Sequence, residues 1–252
     1  MSQPLYPVAI LGGGRATRLR PVTDGIPKAL VDVNGEPFIA HQLRLLRSSG
    51  LERVVYCAGY RAEMIREYVG TGARFGLTVE YSFDGPAPLG TGGAIKRALP
   101  LLGEAFFVLY GDSYLPCDYR AVQRAFVGSG RPALMTVFRN ENRWGPSNAE
   151  FSGGRLVAFD KTRPTARMQH LDYGLGVFAR RAFDGVPGES ATDLATLYRS
   201  LLERGELAAC EVSQRFYEAG SFEGLEETRR FLAAHPPIPL TAGESSPGGS
   251  PR

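Results

Sequence analysis

The sequence predicts an α/β fold: a three-layer domain whose second half adds a small sheet lobe. Three observations predict it. Strand-like and helix-like stretches alternate from the N-terminus to Arg139 at the spacing of βα units. Glycine-bearing turns follow two of the apolar strands directly. Beyond Arg139, short strands separated by Gly-Gly and proline-rich turns replace the alternation.

Taken in order, Tyr6–Leu11 (YPVAIL) reads as a buried first strand, and a Gly/Arg-rich loop follows it. Phe38–Ser49 carries Ile39, Leu43 and Leu46 at helical spacing and stops at Gly50. Arg53–Ala58 reads as a strand and Ala62–Val69 as a helix; Leu77–Tyr81 alternates as a strand does. Gly92–Leu99 is a helix opened by glycines, and Ala105–Tyr110 is a fully apolar strand ending at Gly111-Asp112. Tyr119–Val127 is helical and Ala133–Arg139 a strand. In the second half, Asn148–Phe151, Arg155–Asp160 and Leu171–Ala179 read as strands of an antiparallel or mixed extension. Ala191–Arg204 is an amphipathic helix with Leu194, Leu197, Leu201 and Leu202 on its apolar side. Leu207–Val212 is a strand, and Ser221 caps a last helix that runs to Ala234. The expectation is one domain over residues 1–235, with halves of 1–130 and 131–235. Residues 236–252 have the composition of a disordered tail.

At 252 residues with 43% apolar and 22% charged content, the chain is long enough to bury a sizeable core. No apolar run approaches the ~18–20 residues that span a bilayer. The first strand begins so early that a signal peptide is not expected. Three unevenly spaced cysteines form neither a disulfide framework nor a CxxC pair, which points to a reducing cytoplasm. A net charge of +3 is too small and too dispersed to argue for nucleic-acid or membrane binding. Of the 29 basic residues, only Lys28, Lys96 and Lys161 are lysine. Compositional bias toward arginine is the plain account of that imbalance; a chemical need for those lysines is the other.

Residues 11–30, LGGGRATRLRPVTDGIPKAL, carry the most chemistry. Three glycines after a buried strand permit positive φ and close backbone approach to a ligand. Their amides can form an anion-binding nest, with Arg15, Arg18 and Arg20 as forked donors around it. Lys28 follows a proline that restricts its backbone. The pattern suits a polyphosphate. It is not a P-loop, since neither Gly12 nor Gly14 starts GxxxxGK[ST]. It is not a dinucleotide fingerprint either, since Thr17 stands where the last glycine would be. The competing reading is a glycine-rich turn with solvated arginines. His41, His170 and His235 show no zinc spacing, and no GxSxG nucleophile is present.

This segment resembles the signature of the sugar-1-phosphate nucleotidyltransferases, LAGGxGTRLxPLT followed by PKxL. Gly12 stands for the signature's alanine, Ala16 for its last glycine and Val22 for its leucine. The resemblance extends over about residues 5–235, and the chain looks closest to the mannose- and heptose-1-phosphate guanylyltransferase branch. It implies a three-layer α/β/α, Rossmann-like nucleotidyltransferase fold with a mostly parallel mixed sheet. It also implies a nucleotide site at Leu11, Gly12, Gly13, Gly14, Arg15, Thr17, Arg18 and Lys28, continued by PLGTGGAI at Leu89, Gly90 and Thr91. Asp84 could accept from guanine's N1–H and N2–H₂.

The resemblance further implies Mg²⁺ held by Asp112, in FFVLYGDSYL, together with Glu218, in FYEAGSFEGL, where the family usually has aspartate. VAFDKTRP resembles the family's VxxFxEKP and assigns Asp160 to sugar hydroxyls and Lys161 to the sugar phosphate. DYGLGVF resembles NAGIYxF and brings Asp172 and Gly174 to the sugar pocket, with Asn148 from WGPSNAEF beside them. The implied reaction is NTP plus sugar 1-phosphate giving NDP-sugar and pyrophosphate, with Arg18, Lys28 and Asp112 as catalytic residues and GTP favoured. Uridylyl, thymidylyl and cytidylyl transfer stay open, as do a silent sugar-nucleotide sensor of the same fold and a metal-dependent glycosyltransferase. Family members often self-associate, so the expected partners are an NTP, a sugar 1-phosphate and, in an oligomer, further copies of the chain.

Overall fold

Four strands run parallel on one side of the sheet, and their order decides where a ligand can sit. In the computed structural model, which describes residues 3–14, 19, 25–85, 87–187 and 191–236, the first half comprises β1 (Val8–Leu11), β2 (Asp32–Val33), β3 (Glu36–Pro37), α1 (Phe38–Ser48), β4 (Arg53–Ala58), α2 (Ala62–Val69), β5 (Thr78–Phe83), α3 (Gly90–Leu102), β6 (Ala105–Tyr110), β7 (Ser113–Tyr114) and α4 (Tyr119–Ser129). The second half comprises β8 (Ala133–Arg139), β9 (Ala149–Ser152), β10 (Arg155–Phe159), β11 (His170–Ala179), α5 (Leu194–Glu203), β12 (Leu207–Val212), β13 (Tyr217–Glu218) and α6 (Phe222–Ala234).

The parallel set is ordered β6-β1-β4-β5, with Ala9 opposite both Val55 and Val108. The chain leaves β1 toward β4 and β5 on one side and returns with β6 on the other. The carboxyl ends of β1 and β6 therefore flank a topological switch point, where open α/β sheets open a crevice for ligands.

Alternation along each strand separates two cores. Val8, Ile10, Val54 and Tyr56 pack on the face covered by α1, α2 and α4, with Leu43, Ile65 and Val122. Ala9, Val55 and Cys57 pack on the face covered by α3 and α5, with Ile95, Ala98 and Leu201. Phe106 and Phe107 are both fully buried, one on each face; each such side chain contributes about 1.5–3 kcal/mol. A third cluster, with Val33, Phe38, Tyr114 and Leu225, joins α6 to the hairpin β2–β3.

The second half extends the same sheet. β11 runs antiparallel to both β6 and β8, and β12 is parallel to β8. β9 and β10 form a hairpin turned by Gly153 and Gly154, both at positive φ as a two-residue hairpin turn requires. Pairing between β11 and β8 shifts register between Asp172 and Gly176, a bulge beside the cleft.

Two helix starts differ from expectation for identifiable reasons. α5 begins at Leu194 instead of Ala191, because Asp193 caps it, accepting from the Ala195 N–H at 2.9 Å. α3 begins at Gly90 and runs past Pro100 to Leu102. At its start, the Gly92 and Gly93 N–H groups donate to the Thr192 carbonyl at 2.7 and 3.3 Å. The expected tail lies outside the described residues from 237 onward.

Candidate active site

At the switch point a cleft of about 430 Å³ opens between the ends of β1 and β6. The backbones here run unusually close. The Gly12 N–H donates to the Cys57 carbonyl at 2.9 Å and the Gly111 N–H to the Leu11 carbonyl at 3.0 Å, so sheet bonding continues past both strand ends. A Cβ at Gly111 would stand 2.6 Å from the Leu11 carbonyl oxygen, one at Gly59 would stand 2.9 Å from the Gly13 Cα, and one at Gly12 would overlap the Tyr56 hydroxyl. Gly12, Gly13 and Gly14 are absent from the positive-φ residues. Close approach, and not left-handed backbone, is what glycine serves here. Leu11, Gly12, Gly13 and Gly14 line the cleft; Arg15, Ala16, Thr17, Arg18, Arg20 and Val22 lie outside the described residues.

Lys28 opens a short 3-10 turn after Pro27, whose φ is −69°. Its ammonium meets Asp112 Oδ2 at 2.5 Å, with the lysine side chain 15% and the aspartate 33% exposed. Asp112 is placed by the end of β6 and by the two-residue ribbon β7–β13, which pairs Ser113 with Glu218. The Ala219 N–H also donates to the Asp112 carbonyl at 2.8 Å. The Glu218 carboxylate accepts from the Gly220 N–H and from the Ser221 hydroxyl, and so supports the start of α6.

Gly220 is where these groups converge. A Cβ there would overlap Glu218 Oε2 and stand 2.7 Å from Lys28 Nζ and 3.2 Å from Asp112 Oδ2. Two carboxylates close to one point suit Mg²⁺, which usually takes one or two carboxylates and completes its shell with water and phosphate oxygens. Among the described residues no cluster of three metal-ligating side chains exists. An oxygen that already accepts one hydrogen bond keeps a lone pair, and Glu218 therefore remains able to ligate.

The second constellation adjoins the cleft through Tyr110. Lys161 Nζ lies 2.9 Å from Asp172 Oδ2 and 3.2 Å from the Tyr110 hydroxyl, and 4.8 Å from the centre of the Tyr110 ring. The Asp172 side chain is 2% exposed. Its Oδ1 accepts the Gly174 N–H at 3.1 Å, and its own N–H donates to Asn148 Oδ1 at 2.9 Å. Gly174, at φ +95°, forms part of the bulge. Burial alone lowers the Lys161 pKa, but the charge and hydrogen bond of Asp172, joined by the charges of Asp193 and Asp112, together outweigh it and the net shift is upward.

Asp160 stands at the start of a turn. Its Oδ1 accepts from the Thr162 hydroxyl and from the N–H groups of Thr162 and Arg163, which makes it the cap of a turn. Those bonds hold its carboxyl at about 2.

On the opposite wall, Asp84, Gly90 and Thr91 line the cleft. A Cβ at Gly13 would be 3.5 Å from Asp84 Oδ2. Burial raises the Asp84 pKa, against the pull of the Leu89 backbone N–H and of Arg97. Thr91 is committed elsewhere: its hydroxyl donates to Asp193 Oδ1 at 3.0 Å and accepts the Leu194 N–H at 2.7 Å. A Cβ at Gly90 would fall 2.6 Å from the Thr192 carbonyl oxygen, so this glycine admits a neighbouring segment as well as bordering the cleft. Leu89 is 5% exposed, and its carbonyl accepts the Thr192 N–H; its side chain belongs to the interior.

Sequence reasoning missed Tyr56, Cys57, Tyr110 and Gly220, all of which line the cleft, as do Pro88 and Ala94 of the PLGTGGAI segment. Tyr56 and Cys57 stand near the carboxyl end of the strand beside β1, and that placement was the available signal. Burial pushes the Cys57 thiol up to about 12, with the Asp84 charge adding to it, so it is no nucleophile at neutral pH.

Among proteins of known activity, N-acetylmuramate alpha-1-phosphate uridylyltransferase of Neisseria meningitidis serogroup B is 28% identical over 228 residues, which cover 89% of this chain and 97% of that protein. Mannose-1-phosphate guanyltransferase beta-B of Xenopus laevis is 27% identical over 217 residues, 84% of this chain; the chain spans 60% of that protein's length. The crystal structure of HddC from Yersinia pseudotuberculosis complexed with GMP-PN superposes with a TM-score of 0.74 at 23% identity, covering 90% of this chain and 100% of that one. A family model described as nucleotidyl transferase matches residues 8–162. That stretch runs from the first residue of β1 to the residue after Lys161 and takes in the glycine turn, Lys28, Asp112 and Lys161: the chain belongs to the nucleotidyl transferase family.

Proposed function

We propose that the chain transfers a nucleotidyl group from GTP to a sugar 1-phosphate, giving an NDP-sugar and pyrophosphate. The observation that carries this reading is one cleft with a glycine turn at the switch point and the Lys28–Asp112 pair in its wall, adjoined through Tyr110 by a second lysine–carboxylate pair, Lys161–Asp172.

The attacking group is a phosphate oxygen. A phosphate monoester has its second pKa near ~6 and is ionised at neutral pH, so the protein needs no general base. What remains is charge repulsion and alignment. The Lys28 ammonium, freed from Asp112, sits against the phosphoryl group being transferred, while Arg18 and the amides of the glycine turn receive the departing pyrophosphate. Lys161 takes the sugar phosphate, and Asp172 with Asn148 fixes that lysine and offers acceptors to sugar hydroxyls, holding the in-line geometry. Asp112 and Glu218 are the residues to hold Mg²⁺, which when bound offsets the negative charge of the reacting phosphates.

Asp84 supports guanine. A carboxylate has only acceptors, and guanine offers it N1–H and N2–H₂ side by side, whereas uracil offers one N–H flanked by two carbonyls. The guanylyltransferase from Xenopus laevis supports the same base. Uridylyl transfer is the second reading, favoured by the Neisseria relative, which this chain covers almost end to end. A matrix of five NTPs against a panel of sugar 1-phosphates, read by pyrophosphate release, separates them. GTP is expected to give the highest kcat/KM, and Asp84→Asn is expected to narrow its lead over UTP. No release with any pair sinks the enzymatic proposal.

A further inference from the structure

Tyr56 points from β4 into the core beneath the glycine turn. It pairs with Ile10 in β1 and Tyr81 in β5 and is 1% exposed, yet it also borders the cleft. Its hydroxyl and ring edge fill the space that a side chain at position 12 would need. The two residues are thus matched: with any side chain at position 12, Tyr56 could not lie where it does. This also accounts for a departure in the sequence, since Gly12 stands where the resembling signature has alanine.

The hydroxyl has no hydrogen-bond partner among the described residues. Buried tyrosine hydroxyls ordinarily find one, and leaving one unpaired costs stability that phenylalanine would avoid at equal packing. A donor kept at such a cost beside a binding cleft fits a group that is satisfied only in the bound state.

We infer that the Tyr56 hydroxyl is a nucleotide-binding group, donating a hydrogen bond to the NTP that lies against the glycine turn. Burial raises the Tyr56 pKa, so the hydroxyl stays protonated and able to donate at every pH the enzyme meets. The inference rests on the proposed function for the ligand being a nucleotide, and it adds a residue that the motif does not contain.

The test is Tyr56→Phe, with GTP binding measured by calorimetry and turnover by pyrophosphate release. The expected result is a Kd for GTP raised about tenfold, a KM for GTP raised in parallel with kcat nearly unchanged, and a Tm equal to or above wild type. A merely structural hydroxyl would leave Kd and KM where they were; that result overturns the inference, as does a lost affinity explained by unfolding. The paired variant Tyr56→Val with Gly12→Ala lets a methyl occupy the vacated space. It is expected to fold and to bind GTP no better than Tyr56→Phe, and wild-type affinity in it would also overturn the inference. Calorimetry uses the nucleotide alone. Wild-type protein that binds GTP but turns over no pair therefore sinks the proposed function and leaves the Tyr56 comparison standing. Wild-type protein that binds no NTP sinks both.

Discussion

Asp84 is half-buried beside Gly13 and Gly59, and burial raises its pKa. A carboxyl whose folded pKa lies above its unfolded value of about 3.9 contributes its full stability below that value and loses it as pH rises through the folded pKa. Asp84→Asn is therefore expected to raise Tm at pH 7, with the gain shrinking toward zero as pH falls below the unfolded pKa, where both states are protonated. Calorimetric Tm against pH checks this; an equal gain at every pH would contradict it. Gly220 gives a second prediction. Alanine there meets Glu218 Oε2, Lys28 Nζ and Asp112 Oδ2 at once, so Gly220→Ala should lower kcat about a hundredfold with an unaltered circular dichroism spectrum. At this scale the sequence singled out Lys28, Asp112, Lys161 and Asp172, where chemistry and motif coincide, and the fold joins them as two lysine–carboxylate pairs. The sequence was not legible at Tyr56, which reads as core packing in a strand, and the turn that Thr162 and Arg163 make on Asp160 Oδ1 has no sequence pattern to announce it. Lys96, the third lysine, donates to the Phe183 carbonyl at 2.8 Å and ties α3 to the chain after β11.

Elements with many periodic residues were readable almost to the residue. β4, α2, β6, β8 and β12 match their expected bounds, because each packs a continuous apolar set against a core. The two-residue strands were not readable. β7 and β13 have no periodicity to detect, and their pairing of Ser113 with Glu218 joins segments far apart in sequence. Helix starts were harder than helix faces, since a cap is a single side chain. Asp193 shows why this matters: it caps α5 and holds the Thr91 hydroxyl at the start of α3, so one carboxylate joins two helices beside the cleft. Asp193→Ala is expected to cost roughly 1–2 kcal/mol and to lower Tm by a few degrees, measured by thermal unfolding. A loss no larger than that of an exposed alanine substitution would show that the cap carries little.

Across the whole molecule, one sheet of nine strands carries both halves, with β11 paired directly to β6. The parallel set and its crevice were foreseeable from the βα alternation. The order of β8, β11 and β12 was not, because it depends on long-range pairing between strands of similar composition. A sheet shared in this way predicts a single cooperative unfolding transition. A nucleotide that binds only the folded state stabilises it by about 2.7 kcal/mol at a hundredfold excess over Kd, roughly 5–10 °C for a domain of this size. Differential scanning calorimetry with GTP and Mg²⁺ measures both, and two separated transitions would contradict the single unit.

The two ion pairs have one more consequence. In the resting protein Lys28 is matched by Asp112 and Lys161 by Asp172, so neither ammonium is left as an unclaimed positive charge. A small free anion that displaced either carboxylate would gain one contact and forfeit another. A nucleotide or a sugar phosphate brings ribose, base or hydroxyls whose added contacts can drive the exchange. Sulfate or inorganic phosphate in large molar excess over substrate should therefore compete poorly, and an inhibition series run at constant ionic strength would show it. The lysines of this arginine-rich chain then act as gated charges, released by the right ligand and withheld from the rest.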